Sequence, residues 1–251
     1  MKAAYLLPVI LLPLLSCRGG RQADQAPRDD VSVLDATASV IPASLDQAMQ
    51  AIEDASVRLR RGDCITVVPI VGQSFATPSD EILHRCIPSE RQPYDHDLDD
   101  FHVELHNALA SERRQIALHR AAKTDILGTL NLVAQEFSLD GPQVRKTLVI
   151  FSDFIEEDDS RNFITSPDLA TPEAAERLAR DLAGGRQHSC NWSGVRIFLG
   201  NLQSTELPNL PEPRRQAIQR FWSAYFTACK SQPFFAADGP GMSARFILQA
   251  Q

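Results

Sequence analysis

The stretch Val31-Ser32-Val33-Leu34-Asp35-Ala36-Thr37-Ala38-Ser39 decides the fold. Residues 31–34 are an apolar run that predicts a buried strand. Ile41, Pro42 and a helix start at Ser44 follow, so Asp35, Thr37 and Ser39 fall in a strand-to-helix loop. In a parallel α/β sheet such a loop lies at the carboxyl edge, where ligands bind. One carboxylate and two hydroxyls at alternate positions suit a hard divalent cation, Mg²⁺, Mn²⁺ or Ca²⁺, which takes oxygen ligands. Asp, Ser and Thr also dominate ordinary turns that feed helices, so the loop alone leaves both readings open.

On either side of this loop, strands and helices alternate along the chain. Apolar residues at three- and four-residue steps from Leu45 to Leu59 predict a helix, with Ser44 and Gln47 as a capping box and Gly62 as its stop. Residues 64–71 are apolar and β-rich, and residues 81–87 pair back on them as an antiparallel hairpin strand. A helix over 98–121 follows, then another carrying Ile126, Leu130, Val133 and Phe137, with Thr124 as its N-cap. The near-continuous apolar run 147–151 reads as a strand buried on both faces, ending in Ser152-Asp153. Thr171-Pro172 caps a helix to Leu182, residues 195–199 form a short strand, and 213–230 an amphipathic helix. A short strand at Phe234-Phe235 comes last. The expected fold is α/β: a mostly parallel central sheet with helices on both faces and one antiparallel hairpin strand.

With 251 residues and 43% apolar content the chain is long enough for one domain with a real core. A formal charge of −7 argues against nucleic acid as a partner, because phosphate binding needs a basic surface. The amino terminus reads as an address. Met1-Lys2 is a small positive region, and the apolar segment after it ends in Leu14-Leu15-Ser16-Cys17. This resembles the lipobox of bacterial lipoproteins, which implies cleavage after residue 16 and diacylglycerol plus an acyl chain such as palmitate on Cys17. Arg18 stands where enteric bacteria use aspartate for inner-membrane retention. The expected location is therefore the bacterial cell envelope, at the outer membrane. Residues 1–16 are then the signal peptide, 17–30 the lipidated cysteine and a polar tether, and 31–251 the domain. Export also explains the remaining cysteines, Cys64, Cys86, Cys190 and Cys229, an even number suited to two disulfides. Cys64 opens one strand and Cys86 lies late in its hairpin partner. Cys190 precedes the strand at 195, and Cys229 ends a helix returning to that same amino edge. The expected pairs are Cys64–Cys86 and Cys190–Cys229.

Three carboxyl-edge segments now stand in order: Asp35, Thr37 and Ser39; Thr124 before a helix; and Asp153 after the central strand. Together they resemble a von Willebrand factor type A domain, which implies a Rossmann-like sheet, and its metal-ion-dependent adhesion site. That family carries D-x-S-x-S, a later threonine, and an aspartate after the fourth strand; here the first element is D-x-T-x-S. The family's usual Asp-Gly after the fourth strand is Asp153-Phe154 in this chain. The resemblance implies that Asp35, Thr37, Ser39, Thr124 and Asp153 hold a divalent cation, Mg²⁺ foremost. It also implies an open coordination position that an acidic group of a protein partner fills, and a binding module rather than an enzyme. The alternatives are a metal-dependent phosphoesterase using Asp35 and Asp153, or a structural domain that has lost its metal. His102 and His106, one helical turn apart, read as a solvated helix face rather than a zinc site. The acidic run 156–159 reads as a solvated loop, with widening of the metal site or attraction of a basic partner as the alternative.

Overall fold

The computed structural model describes residues 26–72, 83–90, 96–118, 120–185 and 190–235. The signal segment, Cys17 and the tether up to residue 25 lie outside the described residues. Strands β1 (Arg28–Asp35), β2 (Cys64–Ile70), β3 (Leu83–Cys86), β4 (Arg145–Ser152), β5 (Val195–Asn201) and β6 (Phe234–Phe235) form one sheet. Its order is β3-β2-β1-β4-β5-β6, parallel throughout except for β3, which pairs antiparallel with β2 at one edge. Crossovers α1 (Pro42–Ser56) and α2 (Asp97–Leu118) cover one face, and α3 (Ile126–Leu139), α4 (Pro172–Gly184) and α5 (Glu212–Ala228) the other.

The period-2 alternation of the strands assigns each side chain to a face. Val31, Val33, Leu148, Ile150, Ile197 and Leu199 pack against α3, α4 and α5. Leu34, Val149, Phe151 and Phe198 pack against α1 and α2. Ile218, Phe221, Trp222, Tyr225 and Phe226 of α5 are all buried, as their helical spacing predicts. Among the described residues, no helix is long and apolar enough to cross a membrane.

Both expected disulfides form, Cys64–Cys86 and Cys190–Cys229. The first joins directly opposed residues of β2 and β3. Pro69, within β2, is tolerated because β3 pairs only with residues 64–67, so no ladder donor is missed on that side.

Several boundaries differ from expectation. β1 starts at Arg28, inside the stretch read as tether, and Asp29 and Asp30 are buried in it. Its polar start is held by Asp63: Arg28 N–H donates to Asp63 Oδ1 (2.9 Å) and Arg28 Nε to Oδ2 (3.3 Å). Partners on both sides of β1 supply a ladder that composition does not reveal. Helix α1 starts at Pro42, with no side-chain cap. Ser44 is turned inward instead, and its Oγ accepts the Gln203 N–H (3.0 Å). The helix ends at Ser56, well before Gly62, which takes φ +84° in the turn leading to β2.

Candidate metal centre

β1 ends at Asp35, wholly buried, and the chain turns there toward α1. Asp35 Oδ1 accepts the Thr37 N–H (3.0 Å) and the Thr37 hydroxyl (2.6 Å). Thr37 thereby uses its one proton, so the 3.1 Å contact between Thr37 Oγ1 and Ser39 Oγ is made by the Ser39 proton. Oδ2 of Asp35 accepts the Ser152 hydroxyl (2.6 Å) from the end of the neighbouring strand β4. The three residues of the D-x-T-x-S loop are thus one hydrogen-bonded chain. Thr37 and Ser39, whose protons point inward along this chain, still have oxygen lone pairs for another partner.

Asp153 follows β4 at the same edge and is also buried. Its Oδ1 accepts the Ile155 N–H (3.0 Å). Its Oδ2 is buried and, among the described residues, accepts no hydrogen bond of normal geometry. Burial, and after it the charge of Asp35, pushes Asp153 up to about 7; Ser204 is near enough to temper the shift. Burial also raises Asp35, against the lowering effects of Ser152, Thr37 and Arg120.

Thr124 reaches the site differently from the expectation. It does not cap α3; Asp125 does, through Oδ1 to the Gly128 N–H (2.7 Å). Gly128 permits this, since a Cβ there would lie 2.1 Å from Asp125 Oδ2. Thr124 is buried, and its backbone exchanges two 2.8 Å hydrogen bonds with Glu157 in the loop after β4. Its segment also meets the first loop, where Ala38 N–H donates to Ala121 O (2.9 Å). Arg120 adds a bond from Nη1 to Val40 O (2.8 Å). The three predicted segments therefore adjoin at one edge. Asp35, Thr37 and Ser39 are directly linked, Asp153 lies within electrostatic reach of Asp35, and Thr124 sits on the strap joining their loops.

The acidic run 156–159 is not a solvated loop throughout. Glu156 is fully buried, and its Oε2 accepts the Ile126 and Leu127 N–H groups (2.9 and 3.3 Å) at the start of α3. The helix dipole favours a negative charge there. Glu156 lies close to Asp125 and Asp158. Arg161 already supplies a cation to that cluster, with Nη2 2.7 Å from Asp158 Oδ2 and Nε 4.0 Å from Glu156 Oε1.

Phe154, where the von Willebrand factor type A resemblance implies glycine, takes φ +63°. Its N–H donates to Ser152 Oγ (2.9 Å), and its carbonyl accepts Trp222 Nε1–H (2.9 Å). A bulky residue thus holds a left-handed backbone conformation that favours glycine.

Sequence reasoning missed Ser152. A hydroxyl at the end of a strand buried on both faces needs a partner, and that was the available signal. Glu206, a half-buried carboxylate after β5, was also missed; no motif marks it.

Among the described residues, the candidate side-chain ligands at this edge offer carboxylate and hydroxyl oxygens, and the buried Asp153 Oδ2 accepts no hydrogen bond of normal geometry. That chemistry fits a hard divalent cation and not a soft one. No family model matches the chain, and no curated protein matches it in sequence. Solved structures of similar path include an aerotolerance-related membrane protein of Bacteroides fragilis, at 12% identity and TM-score 0.48, covering 88% of this chain and 97% of that one. A von Willebrand factor type A protein of Catenulispora acidiphila matches at 14% identity and TM-score 0.40, over 90% of this chain and 42% of that one. Manganese-loaded TRAP of Plasmodium vivax matches at 10% identity and TM-score 0.43, over 90% and 73%. The six-stranded sheet with its single antiparallel edge strand is the architecture that the von Willebrand factor type A resemblance implies.

Proposed function

We propose that this chain is a lipid-anchored binding module of the bacterial envelope, whose divalent cation captures an acidic group on a protein partner. Asp35, Thr37, Ser39, Thr124 and Asp153 would hold the cation, with Mg²⁺ the expected ion and Mn²⁺ a suitable probe. The observation that carries this reading is Asp153 Oδ2, a buried carboxylate oxygen that among the described residues accepts no hydrogen bond of normal geometry, within electrostatic reach of the buried Asp35. Two desolvated carboxylates side by side are unfavourable unless a cation or a proton compensates them. The Asp35 hydrogen bonds keep the two hydroxyls in place for such an ion.

Cys17 would carry the lipid, which with a second acyl chain gives stable attachment. The domain would then present its carboxyl edge away from the tether, since β1 begins at the opposite edge, just after the tether.

Calorimetric titration of the full chain in detergent with Mg²⁺ and Mn²⁺ tests the reading. Uptake of one ion, abolished by Asp35→Asn and by Ser39→Ala without loss of fold, is the expected result. A folded wild-type chain that takes up neither ion sinks it.

A further inference from the structure

The segment after β5 is strapped to both loops that carry the candidate metal residues. Leu202 N–H donates to Ser152 O (2.9 Å), the carbonyl next to Asp153. Ile41 N–H donates to Gln203 O (2.9 Å), and Gln203 N–H to Ser44 Oγ (3.0 Å). Ser204 pairs with Val40 as an isolated bridge. Thr205 then closes on Ser39 itself, since Ser39 O accepts its N–H (2.9 Å) and its hydroxyl (3.4 Å). The next residue is Glu206. It begins the 3₁₀ turn Leu207–Asn209 yet makes no side-chain capping bond, so its carboxylate is not committed to that turn.

We propose that Glu206 is a built-in ligand of this same metal site, filling the coordination position that a partner's acidic group takes and yielding it when a partner binds. The inference rests on the metal reading above and adds a resting state to it.

The electrostatics agree with the placement. Glu206 is raised by burial and by the charges of Glu157 and Asp35, and it in turn raises Asp153. A half-buried carboxylate set among other carboxylates is a poor arrangement for the chain alone. It becomes favourable around a dication. Affinity of oxygen-ligand sites rises with the number of charged ligands, and Glu206 would add a third carboxylate to Asp35 and Asp153. It would also shield the ion's open position from adventitious anions. A partner then has to supply a carboxylate in better geometry, or contacts elsewhere, to displace Glu206.

The test uses Mn²⁺ with the full chain in detergent. Calorimetry reads affinity, and water-proton relaxation counts the waters bound directly to Mn²⁺. Glu206→Ala should weaken Mn²⁺ binding by roughly tenfold or more, at least the loss that follows removal of an outer-shell partner of a metal ligand. It should also add one inner-sphere water. Glu157→Ala removes a nearby charge and serves as the control, with a smaller loss of affinity and an unchanged water count. An unchanged water count in Glu206→Ala, or a loss no greater than that of Glu157→Ala, overturns the proposal while leaving the metal reading intact. If the folded wild-type chain binds no Mn²⁺, both fall together. Circular dichroism of each variant separates loss of ligation from loss of fold.

Discussion

Replacing Phe154 by glycine should leave the domain more stable than replacing it by alanine, the reverse of the usual order. Phe154 is buried, and its ring meets Trp222 edge-on with centroids 6.1 Å apart. Both substitutions lose that ring, at about 3–5 kcal/mol for a buried phenylalanine cut back to alanine. They differ in the backbone. At φ +63° a Cβ opposes the left-handed conformation, at about 1–2 kcal/mol. Glycine removes that strain but gains unfolded-state entropy worth about 0.4–1 kcal/mol. The balance favours glycine by about 1 kcal/mol, or about 2–4 °C in Tm for a domain of this size. Urea unfolding followed by far-UV circular dichroism measures both variants against wild type. Trp222 fluorescence is the wrong probe, because its indole bonds to the Phe154 carbonyl. Alanine equal to or more stable than glycine would refute the account. It would mean that the loop after β4 relaxes out of the left-handed conformation once the ring is gone.

Ser152→Ala removes the donor to Asp35 Oδ2 and the acceptor of the Phe154 N–H together, and should lower stability by about 2–4 kcal/mol in the same urea assay. Asp153 and Asp29 both titrate near 7 in the fold, against an ordinary 3.8, so the folded state holds protons that the unfolded chain releases. Metal-free stability should therefore fall as pH rises from about 4 to about 7, with Asp30, Asp35 and Glu156 shifted in the same direction. Mn²⁺ should flatten the part due to Asp153, and Asp29→Asn the part at the opposite edge; urea midpoints across that range that rise with pH would contradict this. On the proposed lipidation of Cys17, Cys17→Ser should move the protein from the membrane to the soluble fraction on cell fractionation; unchanged membrane fractionation would count against that anchor.

The elements the sequence made legible are those whose signal is apolar and periodic. The aromatic face of α5, the doubly buried run of β4 and the hairpin that opposes Cys64 to Cys86 all follow from spacing alone. The elements that escaped are polar ones satisfied at a distance. Arg28, Asp29 and Asp30 look like a tether until Asp63, 35 residues from Arg28, closes on it. Glu156 looks solvated because the N–H groups it caps belong to α3, about 30 residues earlier. Ser44 and Thr124 look like caps because each precedes a helical pattern. A neighbouring loop claims the Ser44 hydroxyl and the Thr124 backbone, and Pro42 and Asp125 begin the helices. Long-range polar pairing leaves no periodic trace. For the same reason the Asp35–Thr37–Ser39 chain was readable as a local motif, while its fourth member, Ser152, was not.

The two edges of the sheet are held by different means. Both disulfides lie at the amino edge: Cys64 opens β2, Cys86 ends β3, and Cys190 precedes β5 beside the end of α5. With separations of 22 and 39 residues, each restricts the unfolded chain by an amount worth about 3–4 kcal/mol in the loop-entropy account. The carboxyl edge has no covalent tie among the described residues. Its loops are joined by hydrogen bonds: Ala38 to Ala121, Thr124 to Glu157, Thr205 to Ser39, Leu202 to Ser152. Each is worth about 1 kcal/mol net, so the set can be exchanged in part at modest cost. A site whose ligands come from separate loops needs that freedom if a partner's carboxylate is to replace one of the chain's own. Stabilisation at the far edge would keep such rearrangement from unfolding the sheet, because the covalent ties do not pass through the loops that the proposed exchange would shift.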